Sequence, residues 1–169
     1  MEILKDAYVA FIDVIGFKNL VCSDNKQKLD TIFEKTKLAF DMYDEQKENI
    51  KKFILSDSII LAIEPGDHKK DRFKMILTAS RNLQAFLAVE GILVRGAISQ
   101  GDFQYENWGK YGKIFYGKGF ISACELEKKA VYPRIILDPR LIPNFANDKI
   151  SFIKVAAAGA VAGWVIQNV

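Results

Sequence analysis

An unbroken apolar run, Tyr8-Val9-Ala10-Phe11-Ile12, ends directly on a carboxylate, Asp13, with Val14 and Ile15 after it and Gly16 three residues beyond the acid. Over residues 7–14 the β-branched and aromatic side chains follow one another without polar alternation. That is the pattern of a central strand. Asp13 is hard to read as a simple turn residue, because apolar residues flank it on both sides and no polar turn begins there. A buried strand that ends in Asp, then bends so that backbone N–H groups face one point, is a way to hold a metal ion beside a phosphate.

A second stretch has the same logic. Phe53-Ile54-Leu55 and Ile59-Ile60-Leu61-Ala62-Ile63 flank a polar Ser56-Asp57-Ser58, which predicts a hairpin with an acid at its tip. Between the first strand and this hairpin, Leu29, Ile32, Phe33, Leu38, Phe40 and Tyr43 recur at three-to-four spacing behind Asp24 or Asn25 as N-cap, which predicts a helix. A turn over residues 64–71 leads into a second amphipathic helix carrying Phe73, Ile76, Leu77, Leu83, Phe86, Leu87 and Val89, ending at Gly91. Residues 92–99 read as a strand, and Gly96 inside it signals a bulge or the close approach of another segment. Residues 105–113 read as a polar, glycine-containing loop. A short strand at 114–116, a third helix over 120–130, a strand over 134–137 stopped by Asp138-Pro139, and a last strand over 150–155 complete the order.

A hairpin set among βα units predicts an α+β fold with a mixed, mostly antiparallel sheet and helices packed on it, rather than a doubly wound parallel one. Residues 1–155 form the domain. Residues 156–169 are an apolar, Ala- and Gly-rich tail, too short to span a bilayer, which reads as a truncated or altered C-terminus or as a helix packing on a partner.

Composition narrows the function classes. The chain has 169 residues, half of them hydrophobic and 27% charged, at a formal charge of +3. Its lysines are scattered, so neither nucleic acid nor a membrane surface is an expected partner. Cys22 and Cys124 have no metal-ligand spacing, and the single histidine, His68, lies in a polar loop, which disfavours a zinc site or a Ser-His-Asp triad. The acidic N-terminus does not read as a signal peptide, and the chain is expected to be cytoplasmic with reduced thiols.

In a β-α-β-β start, the first strand and the hairpin are commonly neighbours, which would set Asp13 beside Asp57. Two carboxylates brought together repel unless a cation sits between them. Mg²⁺ is the natural candidate, because it keeps positions for phosphate oxygens, and the amides of Ile15, Gly16 and Phe17 are placed to receive those phosphates. The plainer reading makes Asp13 a turn residue after a strand and Ser56-Asp57-Ser58 an ordinary hairpin tip, and it is Asp13 that fits this reading less well.

The sequence resembles class III nucleotidyl cyclase catalytic domains. Phe11-Ile12-Asp13-Val14-Ile15-Gly16-Phe17 is similar to that family's Phe-x-Asp-hydrophobic-x-Gly-Phe strand, and Ser56-Asp57 matches its second metal aspartate after a small residue. Arg95-Gly96-Ala97-Ile98-Ser99-Gln100-Gly101 resembles an Arg-x-Gly-Ile-x-x-Gly strand. Residues 117–127 resemble a Gly-x-x-Val-Asn-x-Ala-x-Arg-x-Glu helix. The resemblance implies a ferredoxin-like, palm-type core and conversion of a nucleoside triphosphate to a 3′,5′-cyclic nucleotide plus pyrophosphate. It implies two Mg²⁺ or Mn²⁺ ions on Asp13 and Asp57 with the Val14 carbonyl as a further ligand, and phosphates on the Gly16 and Phe17 backbone. It also implies a homodimer with shared active sites.

The departures from that pattern are equally specific. The family's helix Asn and Arg fall on Ile121 and Glu125, and its purine-selecting Lys and partner acid fall on Phe53 and Ile114. Metal positions kept beside rewritten base positions resemble the bacterial anti-phage cyclases that make cyclic CMP or cyclic UMP. A domain that has lost catalysis and binds nucleotide or regulates a partner is the alternative. Arg95, between apolar neighbours, reads either as half of a buried ion pair or as a ligand group. Arg95, Lys113, Lys118 and Arg134 are the candidates to replace the charge lost at Glu125. On the helix, Phe120, Ala123, Cys124 and Leu126 read as core, and Glu125 and Glu127 as solvated.

Overall fold

A computed structural model describes residues 1–42, 50–144, 150–155 and 163–168. The strands are β1 (Glu2–Leu4), β2 (Tyr8–Val14), β3 (Lys51–Leu55), β4 (Ser58–Ile63), β5 (Val94–Gln100), β6 (Phe103–Asn107), β7 (Lys113–Tyr116), β8 (Ile135–Leu137), β9 (Ile150–Val155) and β10 (Gly163–Asn168). The helices are α1 (Phe17–Cys22), α2 (Lys26–Asp41), α3 (Lys69–Val89) and α4 (Lys118–Glu127).

The apolar run from Tyr8 is the middle strand of a five-stranded sheet of order β3-β4-β2-β5-β8. Its neighbours β4 and β5 are both antiparallel to it, and β8 joins β5 in parallel. The mixed, mostly antiparallel α+β architecture is therefore the one the sequence predicts. Side-chain parity along β2 assigns its two faces. Tyr8, Ala10, Ile12 and Val14 pack with Ile32 and Ala39 of α2 and with Phe73, Ile76, Leu83 and Leu87 of α3. Val9 and Phe11 point the other way, into a cluster with Phe53, Phe103, Phe115, Ala123 and Phe120. Asp13 has the same parity as Val9 and Phe11, so it continues an apolar row on the α4 side of the sheet.

The helix α4 is seated on β5 by glycine. Ser99 Oγ donates to the Gly119 carbonyl at 2.6 Å, and a Cβ at Gly119 would stand 2.6 Å from the Gly101 carbonyl oxygen. Backbone lies on both sides of that contact, so it cannot give way cheaply. Gly119→Ala is expected to destabilise the domain by about 1–3 kcal/mol, read as a lower urea midpoint at unchanged slope. Wild-type stability would show that α4 docks more loosely than this. At Gly96 the close approach foreseen for that strand is real: a Cβ there would lie 2.7 Å from the Phe11 carbonyl oxygen.

Several elements differ from expectation. Residues 103–107, partly assigned to a polar loop, form β6, which pairs with β1 and β7 in a separate three-stranded sheet. Its polar Gln104, Glu106 and Asn107 hid the strand, which earns its place through ladder hydrogen bonds and the buried Phe103. The short β1 and α1 were not foreseen, and α4 covers 118–127 rather than 120–130. Within the tail, 163–168 is a strand paired antiparallel with β9, not a helix. Trp164-Val165-Ile166 has the β-branched and aromatic character that favours this; residues 156–162 and 169, like Tyr43, lie outside the described residues. Among the described residues, no helix is long and apolar enough to cross a membrane.

Candidate active site

The end of β2 and the tip of the β3–β4 hairpin are joined backbone to backbone. Asp13 is in register with Ser58, and the Val14 N–H donates to the Asp57 carbonyl at 3.0 Å. The hairpin loop is only Ser56-Asp57, with Ser56 in the left-handed region at φ 57°. A two-residue loop of this hand matches the twist of the hairpin, and a non-glycine held there marks a tip fixed by its surroundings. Asp13 and Asp57 are thus brought together as the strand order suggests.

Beyond Val14 the chain turns through Gly16 at φ 79° into α1. The Ile15 amide donates to the Leu93 carbonyl at 2.9 Å, so it is already engaged. The Gly16 and Phe17 amides head the short helix, where N–H groups have no intrahelical acceptor. Of the proposed phosphate-binding amides, these two have the freer geometry.

The third element at the site is β5. Its parity alternates as in β2: Val94 and Ile98 face α2 and α3, whereas Arg95, Ala97 and Ser99 face α4. Arg95 is directly opposite Asp13 in the ladder. Its Nε lies 3.5 Å from Asp13 Oδ2 and 2.5 Å from Glu127 Oε1. Arg95 is therefore half of an ion pair, one of the two roles its sequence setting left open. Glu127, read as solvated, is 4% exposed and closes α4 against the site. The signal for it was present in the sequence: Gly119, Ala123 and Glu127 recur every four residues, and all three are buried. Glu125 is exposed, as expected.

The charge balance is lopsided. Asp13 and Glu127 both reach the guanidinium of Arg95, and the charge of Asp57 also acts on Asp13. Burial raises the Asp13 carboxyl above its ordinary value, and the charges of Asp57 and Glu127 push it further up, against the pull of Arg95. Arg95 Nε and Glu127 Oε1 are buried and touch, yet neither has an aligned hydrogen bond. Two neighbouring carboxylates are a hard-oxygen donor set that fits a divalent cation. Among the described residues no three His, Cys, Asp or Glu side chains gather into a metal cage. A set of two carboxylates is what leaves coordination positions for phosphate.

No protein-family model and no curated protein matches this sequence. Solved structures do. The catalytic core of a rhodopsin–guanylyl cyclase with converted specificity, in complex with ATPαS, superposes with a TM-score of 0.71 at 12% identity, covering 99% of this chain and 97% of that one. The guanylate cyclase domain of RhGC from Catenaria anguillulae, in complex with GTP, gives 0.69 at 12% identity, with 99% of each chain covered. The adenylyl cyclase CyaB from P. aeruginosa gives 0.63 at 17% identity, covering 100% of this chain and 96% of that one. The chain has the nucleotidyl cyclase fold.

Against the cyclase fold, the remaining site positions separate. Phe53 is buried, with its ring 4.6 Å from Phe115, 5.1 Å from Tyr105 and 5.8 Å from Phe103. Ile114 on β7 and Ile121 on α4 are exposed. A cleft of about 430 Å³ opens beside the hairpin, lined by Lys52, Phe53, Leu55, Lys113 and Phe115 among others. Lys113 Nζ stands 5.6 Å from the centre of the Phe53 ring. Another cleft of about 440 Å³, around Lys51, Glu64, His68 and Arg72, lies at the opposite end of β2. Its size does not recommend it, because neither aspartate is near it. Trp108 and Tyr111 are exposed, whereas Tyr105 packs on Phe53.

Proposed function

We propose that this protein is a metal-dependent nucleotide cyclase that converts a nucleoside triphosphate, UTP or CTP, to its 3′,5′-cyclic monophosphate and pyrophosphate. The observation that carries the reading is the junction of β2 with the hairpin tip, which sets Asp13 beside Asp57, close enough for the two charges to act on one another. Asp13, Asp57 and the Val14 carbonyl hold the metal. Two Mg²⁺ or Mn²⁺ ions, when bound, supply Lewis-acid stabilisation of the charge that develops during phosphoryl transfer. The Gly16 and Phe17 amides receive phosphate oxygens, Ser56 shapes the tip, and Arg95 supplies a fixed positive charge beside the phosphates. The ribose 3′-hydroxyl attacks the α-phosphorus in line with the departing pyrophosphate. A second copy of the chain covers the site and completes it as a homodimer.

The preference for a pyrimidine rests on the hairpin cleft. The apolar, aromatic wall at Phe53 offers no side-chain acceptor for a base amino group, and Lys113, whose Nζ stands over that ring, is a donor only. That donor suits a base carbonyl, uracil O2 or O4 and cytosine O2 among them, and uracil is the one base of the four with no exocyclic amino group to leave unpaired, so UTP is the first substrate to test. In this reading the product is a second messenger, and the anti-phage role belongs to the same proposal.

The test is turnover of ATP, GTP, CTP and UTP with Mn²⁺, with products resolved by mass. Cyclic UMP or cyclic CMP with stoichiometric pyrophosphate is expected. Cyclic AMP or cyclic GMP as the main product would overturn the base assignment, and no cyclic product from any substrate would overturn the enzyme.

A further inference from the structure

Arg95 stands between two acids, of which the proposed reaction uses only Asp13. The contact to Glu127, at 2.5 Å, is the shorter, and that to Asp13, at 3.5 Å, is the longer. Glu127 is fixed by its place in the fold: it is buried at the end of α4, a helix pressed onto β5 through Gly119 and Gly101. Burying a carboxylate against a guanidinium is seldom a net gain in stability over an apolar pair of similar volume. Here the two atoms that touch lack an aligned hydrogen bond. Stability therefore gives a poor account of Glu127.

Position gives a better one. Each element at the site contributes one charged group: β2 brings Asp13, the hairpin Asp57, β5 Arg95 and α4 Glu127. Arg95 is already within ion-pair reach of Asp13, and among the described residues it is Glu127 that draws it towards the helix. We propose that Glu127 is a positioning residue that holds Arg95 away from Asp13, leaving the Asp13 carboxylate open to the metal. Without that anchor the guanidinium closes onto Asp13 and competes with the cation for it. The inference rests on the reading of Asp13 and Asp57 as metal ligands.

The test is Mn²⁺ binding to the metal-free full chain without nucleotide, followed by loss of the free-Mn²⁺ EPR signal and by calorimetry, with thermal melts to show folding. Glu127→Gln is expected to weaken Mn²⁺ binding by about 10–100-fold, the range for outer partners of metal ligands. Adding Arg95→Ala to Glu127→Gln is expected to restore wild-type affinity, because the competitor is gone. A role for Glu127 in folding alone gives no such rescue. Wild-type affinity in Glu127→Gln, or a double variant as weak as the single, overturns the inference. If Glu127→Gln does not fold, Arg95→Ala alone decides: binding as tight as wild type or tighter supports the inference, and weaker binding overturns it. Failure of the wild type to bind Mn²⁺ overturns instead the metal reading on which the inference rests.

Discussion

Cyclic-nucleotide formation is expected to fall by more than about 100-fold in Asp57→Ala and equally in Asp13→Ala, at every Mn²⁺ concentration, because on the proposed reading each removes a ligand of the charge-stabilising centre. Asp57 gives the cleaner experiment. What joins the hairpin to β2 is the Asp57 carbonyl accepting the Val14 N–H, and alanine keeps that carbonyl. The hairpin is therefore expected to stay in place while the carboxylate is lost, and melting curves should remain cooperative. Asp71→Ala, in the exposed first turn of α3, is the control and should leave turnover unchanged. Initial rates under saturating substrate measure the effect. Retention of even a tenth of the wild-type rate in Asp57→Ala would mean that this carboxylate does not hold the metal.

How much of this site could be read from the sequence depends on how locally each residue is specified. Asp13 was legible because an acid that interrupts a fully apolar run has no cheap structural explanation, and the run itself fixed a central strand. Asp57 followed from one topological step, the adjacency of a strand and the hairpin after it. Glu127 required a second step. Its burial depends on the four-residue recurrence from Gly119, but also on how closely α4 sits on β5, and that is set by a glycine–glycine contact between elements distant in sequence. Viewed alone, the helix offers Glu125 and Glu127 as equivalent exposed acids; tertiary contact makes one a partner of Arg95 and leaves the other in solvent. The polar β6 failed for a related reason. Its pairing with the N-terminal β1 joins segments about a hundred residues apart, so nothing in its own composition announces a strand. At Phe53 the sequence showed that a lysine position had changed, and the structure adds that the new side chain is part of an aromatic core.

Asp13→Asn is expected to stabilise the metal-free protein and to abolish its stabilisation by metal. Burial first, then the charges of Asp57 and Glu127, raises the Asp13 carboxyl above its ordinary value, with Arg95 opposing. An acid with a higher pKa folded than unfolded binds more protons in the folded state over that window. Stability therefore falls as pH rises from the ordinary carboxylate range through the raised value, and the whole penalty is in force above it. An amide of the same shape does not titrate, so at neutral pH the metal-free variant should melt above wild type, by on the order of a few degrees. The gap should close as pH drops below the ordinary carboxylate range, where Asp13 is protonated in both states. Mn²⁺ reverses the order. At a hundredfold excess over its dissociation constant, a ligand that binds only the folded state adds about 2.7 kcal/mol, which the wild type gains and the variant largely forgoes. Scanning calorimetry at several pH values, with and without Mn²⁺, reads all three changes. If Asp13→Asn melts below wild type without metal, Asp13 is a structural partner of Arg95 before anything else. If Mn²⁺ raises both melting temperatures alike, the cation sits elsewhere. A metal-free gain and a lost metal response in the same variant would explain, by what Asp13 binds, a carboxylate kept where it weakens the fold.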